Sequence, residues 1–160
     1  MRTVSPQAFQ AIVAAPGFRV GMRVAGDYLC ELVFLPPGAE TAASHPLAAE
    51  AARQVRAYLA DPGFAFDLPL SPRGTPFQRA VWRKIAEIPP GRTRSYGELA
   101  AELGSAPRAV GQACGKNPYP LVVPCHRVIS ATGGLGGFAN ARDGYLLHTK
   151  RWLLRHEAAL

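Results

Sequence analysis

Thr75-Pro76-Phe77-Gln78 and Ser95-Tyr96-Gly97-Glu98 each carry a complete helix-start signal, and Pro89-Pro90-Gly91 stands between them as a stop. In each tetrapeptide a hydroxyl residue can cap the first turn, and the Gln or Glu three positions on can return a hydrogen bond to the cap's own amide. Pro76 suits the first helical position, where a missing N–H is no loss. No long helix can cross this stretch, because proline inside a helix removes a hydrogen bond and clashes with the preceding turn. The pattern predicts a helix from Pro76 with an apolar face of Phe77, Val81, Trp82, Ile85 and Ile88. A second short helix runs through Leu99 to Leu103 and closes on Gly104 as a left-handed cap. Pro107 opens a third, which carries Arg108, Val110, Cys114 and Lys116. Two short helices joined by a glycine turn make a helix-turn-helix candidate, a pattern that ordinary helical hairpins share.

Elsewhere the periodicities change. Phe18, Val20, Met22 and Val24 alternate with Arg19, Gly21 and Arg23, which is the pattern of a half-buried strand; after a turn at Gly26-Asp27, Tyr28 to Leu35 forms its hairpin partner. Leu47, Ala51, Val55 and Leu59 recur every four residues and place one apolar stripe on a helix that Asp61-Pro62-Gly63 ends. The proline-rich segment Phe64 to Thr75 reads as an extended connector holding a domain boundary. Beyond Asn117-Pro118, Leu121 to Val123 reads as a short buried strand, and a last helix lies around Tyr145 to Glu157. The expected fold class is therefore α+β. A small N-terminal hairpin-plus-helix domain, residues 1–70, precedes a mostly helical domain, residues 71–160, with a helix-turn-helix and a short strand bearing Cys125.

The 160 residues carry a net charge of +7, and it is not spread evenly. Residues 1–70 hold five basic and six acidic side chains, whereas residues 71–160 hold thirteen basic and five acidic ones. A surplus confined to one half fits an anionic partner, of which nucleic acid is the commonest polymer; a plain solubilising surface has the same composition. No run approaches the roughly 20 apolar residues of a membrane helix, and the N-terminus lacks an apolar signal segment. The default expectation is a cytoplasmic protein without membrane contact.

Three cysteines without paired spacing argue against a disulfide framework. Cys30, within the apolar YLCELVFL, reads as a small buried hydrophobe, and Cys114 as a packing residue of its helix. Cys125 differs, because His126 and Arg127 follow it at once and supply a base and positive charge, the surroundings that favour a thiolate. Cys-His alone fits a structural cysteine beside a histidine equally well. No second Cys or His pair stands at ligand spacing, so no metal is expected.

The string NPYPLVVPCHRVIS, together with SYGELA, RAVG and KRWLLRHE, resembles the O6-alkylguanine-DNA alkyltransferases, the methylated-DNA-protein-cysteine methyltransferases. The motifs run in order from about Thr75 to Glu157, and the N-terminal part resembles that family's RNase H-like domain. The resemblance implies direct repair of DNA without a cofactor: an O6-alkylated guanine, or an O4-alkylated thymine, is flipped from the duplex and its alkyl group passes irreversibly to Cys125. It implies that His126, through a water, deprotonates the thiol and that Glu157 orients the imidazole, a Cys-His-Glu version of triad logic. Tyr96 corresponds to a phenol that donates to the base as it leaves, and Asn117 to a hinge residue, although a helix C-cap before proline would read the same way. Arg108 corresponds to the arginine that fills the space of the flipped nucleotide. Ala109 and Gly111 would let the helix enter the minor groove of double-stranded DNA. Lys116 and Arg94, with Arg79, Arg83 and Arg92, are phosphate candidates, and Val128, Phe138 and Ala139 are expected to line the substrate pocket. Phe138 stands where the family often has tyrosine, and the segment Ala139 to Thr149 is longer than usual. A monomer is implied. The other reading of the same helix pair is a lesion sensor or regulator that binds DNA without transfer chemistry.

Overall fold

A computed structural model describes residues 9–130 and 144–159. The chain divides into two compact units, Met1–Pro72 and Arg73–Leu160, and its architecture is α+β.

In the first unit β1 (Ala11–Ala15), β2 (Phe18–Ala25) and β3 (Tyr28–Leu35) form an antiparallel sheet in that order. The hairpin expected from alternation is its second half. β1 is an addition, since AIVAA holds three alanines, which strands disfavour, and its two branched residues, Ile12 and Val13, are adjacent rather than alternating. Its place is secured from outside, by the Ile12 amide donating to the Thr41 carbonyl at 3.0 Å and by the reciprocal bond at 3.1 Å. Ile12, Gly21 and Val33 stand in register across the three strands. A Cβ on Gly21 would lie 2.8 Å from the Phe9 ring, so this glycine is what lets Phe9 pack with Ile12, Leu35 and Val33.

Cys30 departs from its expected burial. The register passes from Arg23–Glu31 to Val24–Leu29 and skips Cys30, so Cys30 is the extra residue of a β-bulge and is half-buried. The helix α1 (Pro46–Ala60) touches all three strands. Its buried face is Ala48, Ala51, Ala52, Gln54, Val55 and Tyr58, with Leu47 and Leu59 at the margins. A strict four-residue step overshoots the 3.6-residue turn by about 40° each time, which is why the ends of the expected stripe drift off the core. Buried Gln54 donates to the Asp67 carbonyl and accepts from the Asp67 amide, both at 2.9 Å. The proline-rich segment is thereby tied to this unit, and Ser71 and Pro69 add backbone bonds to Leu29.

The second unit opens with α2 (Pro76–Ala86). β4 (Arg94–Ser95) leads into α3 (Tyr96–Leu103), and α4 (Pro107–Gly115) follows. Both capping boxes form in full, at Thr75/Gln78 and Ser95/Glu98, each worth about 1 kcal/mol. Gly104 takes the left-handed cap at φ 62°. The Trp82 indole donates to the Ala113 carbonyl at 2.9 Å and ties α2 to α4. Phe77, expected on the apolar face of α2, is 37% exposed. It lines a cleft of about 490 Å³ with Gln78, with Ala109 and Gln112 from α4 and with Lys116 just past it. A 3₁₀ turn, Cys125–Arg127, precedes β5 (Val128–Ile129), which pairs in parallel with β4, and α5 (Gly144–His156) ends the unit.

The strand expected over Leu121 to Val123 is a turn. Leu121 has φ 76°, and the Val123 amide donates back to the Tyr119 carbonyl at 2.8 Å. Pro118, Pro120 and Pro124 remove three amide donors, so the segment cannot build a ladder. Cys125 thus rides on a 3₁₀ turn, and the sheet contact falls on the two residues after Arg127.

Candidate active site

Asn117, just past the end of α4, organises the turn that presents Cys125. Its Oδ1 accepts the Tyr119 amide at 2.9 Å, and its Nδ2 donates to the Val123 carbonyl at 2.8 Å and to the Cys125 Sγ at 3.2 Å. One amide side chain therefore brackets the proline-rich turn and touches the thiol. The Cys125 S–H donates in turn to the Cys114 carbonyl at 3.8 Å. Cys125 is 5% exposed. Hydrogen bonding with Cys114 and then burial push its thiol well above the ordinary range, against the smaller pull of Asn117 and of the Lys150 charge. The resting group is a protonated thiol that needs a base.

That base lies one residue on. His126 is fully buried and its Nε2 meets the Glu157 Oε2 at 2.8 Å; its Nδ1 has no hydrogen-bond partner among the described residues. Burial lowers the pKa of His126, more than the Glu157 carboxylate raises it, so the ring is neutral. Glu157 follows directly on α5, its amide donating to the Leu153 carbonyl at 3.1 Å. Arg127 forks onto the same carboxylate, Nε to Oε1 and Nη2 to Oε2, both at 2.8 Å, and Nη1 donates to the Ile88 carbonyl at 2.6 Å. The sequence suggests Arg127 as the cation beside the thiol. It faces Glu157 instead, and the cation that favours a Cys125 thiolate is Lys150.

Lys150, on α5, is fully buried and donates from Nζ to the Val128 carbonyl at 2.8 Å. It stands 5.9 Å from the centre of the Tyr96 ring, and burial brings its pKa down to about 8. Only one signal in the sequence marks it: Lys150 and Glu157 share the helix face of Leu146, Leu153 and Leu154, where an apolar side chain is the rule. Tyr96 begins α3, carried there by the pairing of Arg94 with Val128 and Ser95 with Ile129. It is half-buried; desolvation, and then the nearby thiols, raise its pKa, so it stays a phenol able to donate.

The remaining expected residues fall in three groups. Arg108 on α4 and Lys116, the residue that caps its end, are exposed, with Ala109 half-buried beside the cleft. Gly111 faces inward, since a Cβ there would stand 4.0 Å from the Tyr96 ring. Arg94 is engaged by Glu98 and Glu102 and meets a phosphate only by exchanging these partners. Val128 is completely buried. Phe138 and Ala139 lie outside the described residues. No group of three metal-binding side chains occurs among the described residues, and no described helix is long and apolar enough to cross a membrane.

Cys114, which the sequence suggests as mere packing, is the largest influence on Cys125. Because the Cys114 side chain raises the Cys125 pKa, by hydrogen bonding and by charge, Cys114→Ala should lower that pKa and increase the thiolate fraction at any given pH. Iodoacetamide modification of the Cys125 peptide, followed by mass spectrometry across pH, should show a midpoint displaced to lower pH. An unchanged or higher midpoint would contradict this.

Residues 76–159 match the family model described as 6-O-methylguanine DNA methyltransferase, DNA binding domain. A methylated-DNA-protein-cysteine methyltransferase of Methanosarcina acetivorans is 47% identical over 112 residues, 69% of this chain and 69% of its own length. A constitutive one from Bacillus subtilis is 46% identical over 111 residues, 66% of this chain and 67% of its own. Among solved structures, Mycobacterium tuberculosis OGT in complex with DNA is 38% identical with a TM-score of 0.74, covering 92% of this chain and 91% of that one.

Proposed function

Because the chain belongs to the 6-O-methylguanine DNA methyltransferase family, we propose that it repairs DNA by direct reversal, as a single-turnover transferase whose own Cys125 accepts the alkyl group of O6-alkylguanine. The observation that carries this reading is the buried Cys125 thiol, touched by Asn117 and followed at once by the His126–Glu157 pair.

The reaction is a displacement at the alkyl carbon. The S–C bond forms as the C–O6 bond breaks, the thiol proton leaves with a base, and guanine departs with a negative charge that must be met. His126 is neutral and takes the proton at Nδ1 through a bridging water, while Glu157 stabilises the imidazolium that results. Lys150 lowers the cost of the thiolate by charge alone. Tyr96 remains protonated and donates to the departing base, a donor placed where charge develops. Asn117 holds Sγ on the line of attack. O4-alkylthymine is a second substrate that the same chemistry would serve.

The base reaches this site by leaving the stack of duplex DNA. Exposed Arg108 fills the space it vacates, and α4, small at Ala109, enters the minor groove, where readout is nearly independent of sequence. Lys116, and Arg94 after exchange of its carboxylate partners, contact phosphates. The protein acts as a monomer in the cytoplasm, a compartment in which thiols stay reduced.

The test is stoichiometric. Duplex DNA carrying labelled O6-methylguanine, mixed in excess with the protein, should pass its label to the Cys125 peptide up to one equivalent per chain and then stop. Continued turnover, or label on another residue, would overturn the reading.

A further inference from the structure

A carboxylate buried without a cation is normally neutralised by a proton, and Glu157 is wholly enclosed. A neutral Glu157 could donate its O–H to the His126 Nε2. The ring would then carry its own hydrogen on Nδ1, and a nitrogen that already bears hydrogen cannot take one from a thiol. The enclosed carboxylate therefore presents His126 with two possible tautomers, and only one of them is a base.

Arg127 decides between them. Its guanidinium does not deprotonate and meets both Glu157 oxygens as a fork, at 2.8 Å each. The third bond, to the Ile88 carbonyl just past the end of α2, at 2.6 Å, keeps the guanidinium from turning away. Against such a partner Glu157 is ionised and can only accept. The His126 Nε2, at 2.8 Å from Oε2, must then be the nitrogen that bears hydrogen, and Nδ1 keeps its lone pair.

We propose that Arg127 is a positioning residue that selects the Nε2–H tautomer of His126 by holding Glu157 as a carboxylate, and so keeps Nδ1 free to accept a proton. The proposal rests on the reading of His126 as the base for Cys125. The charged groups facing the ring are Glu157 at the end of α5, Lys150 on α5 and Arg127 itself; the two cations oppose imidazolium and Glu157 favours it. Arg127 thus acts on His126 twice, once through Glu157 and once directly.

Histidine-15N protein, studied by long-range proton–nitrogen correlation, reads the tautomer without any substrate. In the wild type Nε2 should be pyrrole-like and Nδ1 pyridine-like. Arg127→Met should move hydrogen to Nδ1 and slow single-turnover methyl transfer by about 100-fold or more, the usual weight of a general base. Arg127→Lys keeps the charge and should retain the Nε2–H signature with a rate within about tenfold of wild type. Hydrogen on Nδ1 in the wild type, or an Nε2–H signature that survives Arg127→Met, would overturn the proposal. Should Arg127→Met fail to fold, Arg127→Lys carries the test, since hydrogen on Nδ1 in that charge-keeping variant would overturn the proposal. A wild type with the Nε2–H signature and no methyl transfer would instead sink the functional reading and leave the tautomer assignment standing.

Discussion

Cys125→Ala is expected to abolish methyl transfer while leaving DNA affinity within about threefold of wild type. No other described group combines a nucleophilic atom with this setting, and removing the nucleophile from a coupled acid-base system commonly costs about 10⁶-fold. Binding should survive, because Cys125 is only 5% exposed and the exposed Arg108 on α4 and Lys116 just past its end are untouched. The turn should survive as well. Asn117 retains its bonds to Tyr119 and Val123 when the sulfur is gone, so the loss of folding stability should stay near 1 kcal/mol, the scale of one small buried group. Fluorescence anisotropy on an O6-methylguanine duplex, beside mass spectrometry of the protein after mixing, separates the two properties. A Cys125→Ala protein that still removed methyl from DNA would refute Cys125 as the acceptor.

Glu157→Ala should be the most damaging substitution to stability. The carboxylate accepts from Arg127 twice and from His126 once, all at 2.8 Å, and is itself wholly enclosed. Replacing such an ion pair with apolar residues can be harmless, but removing one partner leaves a charge without compensation and costs about 3–5 kcal/mol. That is a large part of the 5–15 kcal/mol that typically separates folded from unfolded protein. Urea denaturation at neutral pH should therefore show a midpoint far below wild type, and transfer should fall by a factor of about 100 or more in the protein that remains folded. A midpoint close to wild type would mean that Arg127 finds another partner.

The pH dependence gives an independent check. His126 has its folded pKa below the unfolded value. On acidification through the ordinary histidine range, around pH 6.5, the unfolded chain takes up a proton that the folded one refuses. The His126 contribution is fully present above that range and is lost as pH falls through it towards the lowered folded value. Without Glu157, which favours the charged ring, the refusal becomes stronger. Through the histidine range, above the pH at which carboxylates titrate, the Glu157→Ala stability curve should accordingly fall more steeply on acidification than that of wild type.

Some features were legible from residues only a few positions apart. The Thr75 and Ser95 capping boxes, the Gly104 left-handed cap and the proline stop before Gly91 are decided within a single helical turn, and all appear where the local chemistry puts them. The Cys125-His126 pair and the motifs around it marked the chemistry for the same reason, since adjacent residues carry it. Where local pattern failed, a longer-range term had outweighed it. AIVAA became a strand because Thr41 and β2 paired with it. Leu121 to Val123 became a turn because three prolines left too few donors and Asn117 supplied others.

By itself the sequence determined where the helices begin and end, that the basic surplus lies beyond residue 70, and which cysteine has a base beside it. Only the tertiary structure decided what each charge does. His126 reaches Glu157 across 31 positions, Arg127 reaches Ile88 across 39, and Lys150 reaches Val128 across 22. Burial then made those meetings consequential. Arg127 turned from the thiol to the carboxylate, Cys114 became a brake on Cys125, and Lys150 emerged as the cation within its range, because charge acts through distance and desolvation. Neither quantity is written in residue order; both exist only once the chain has closed on itself.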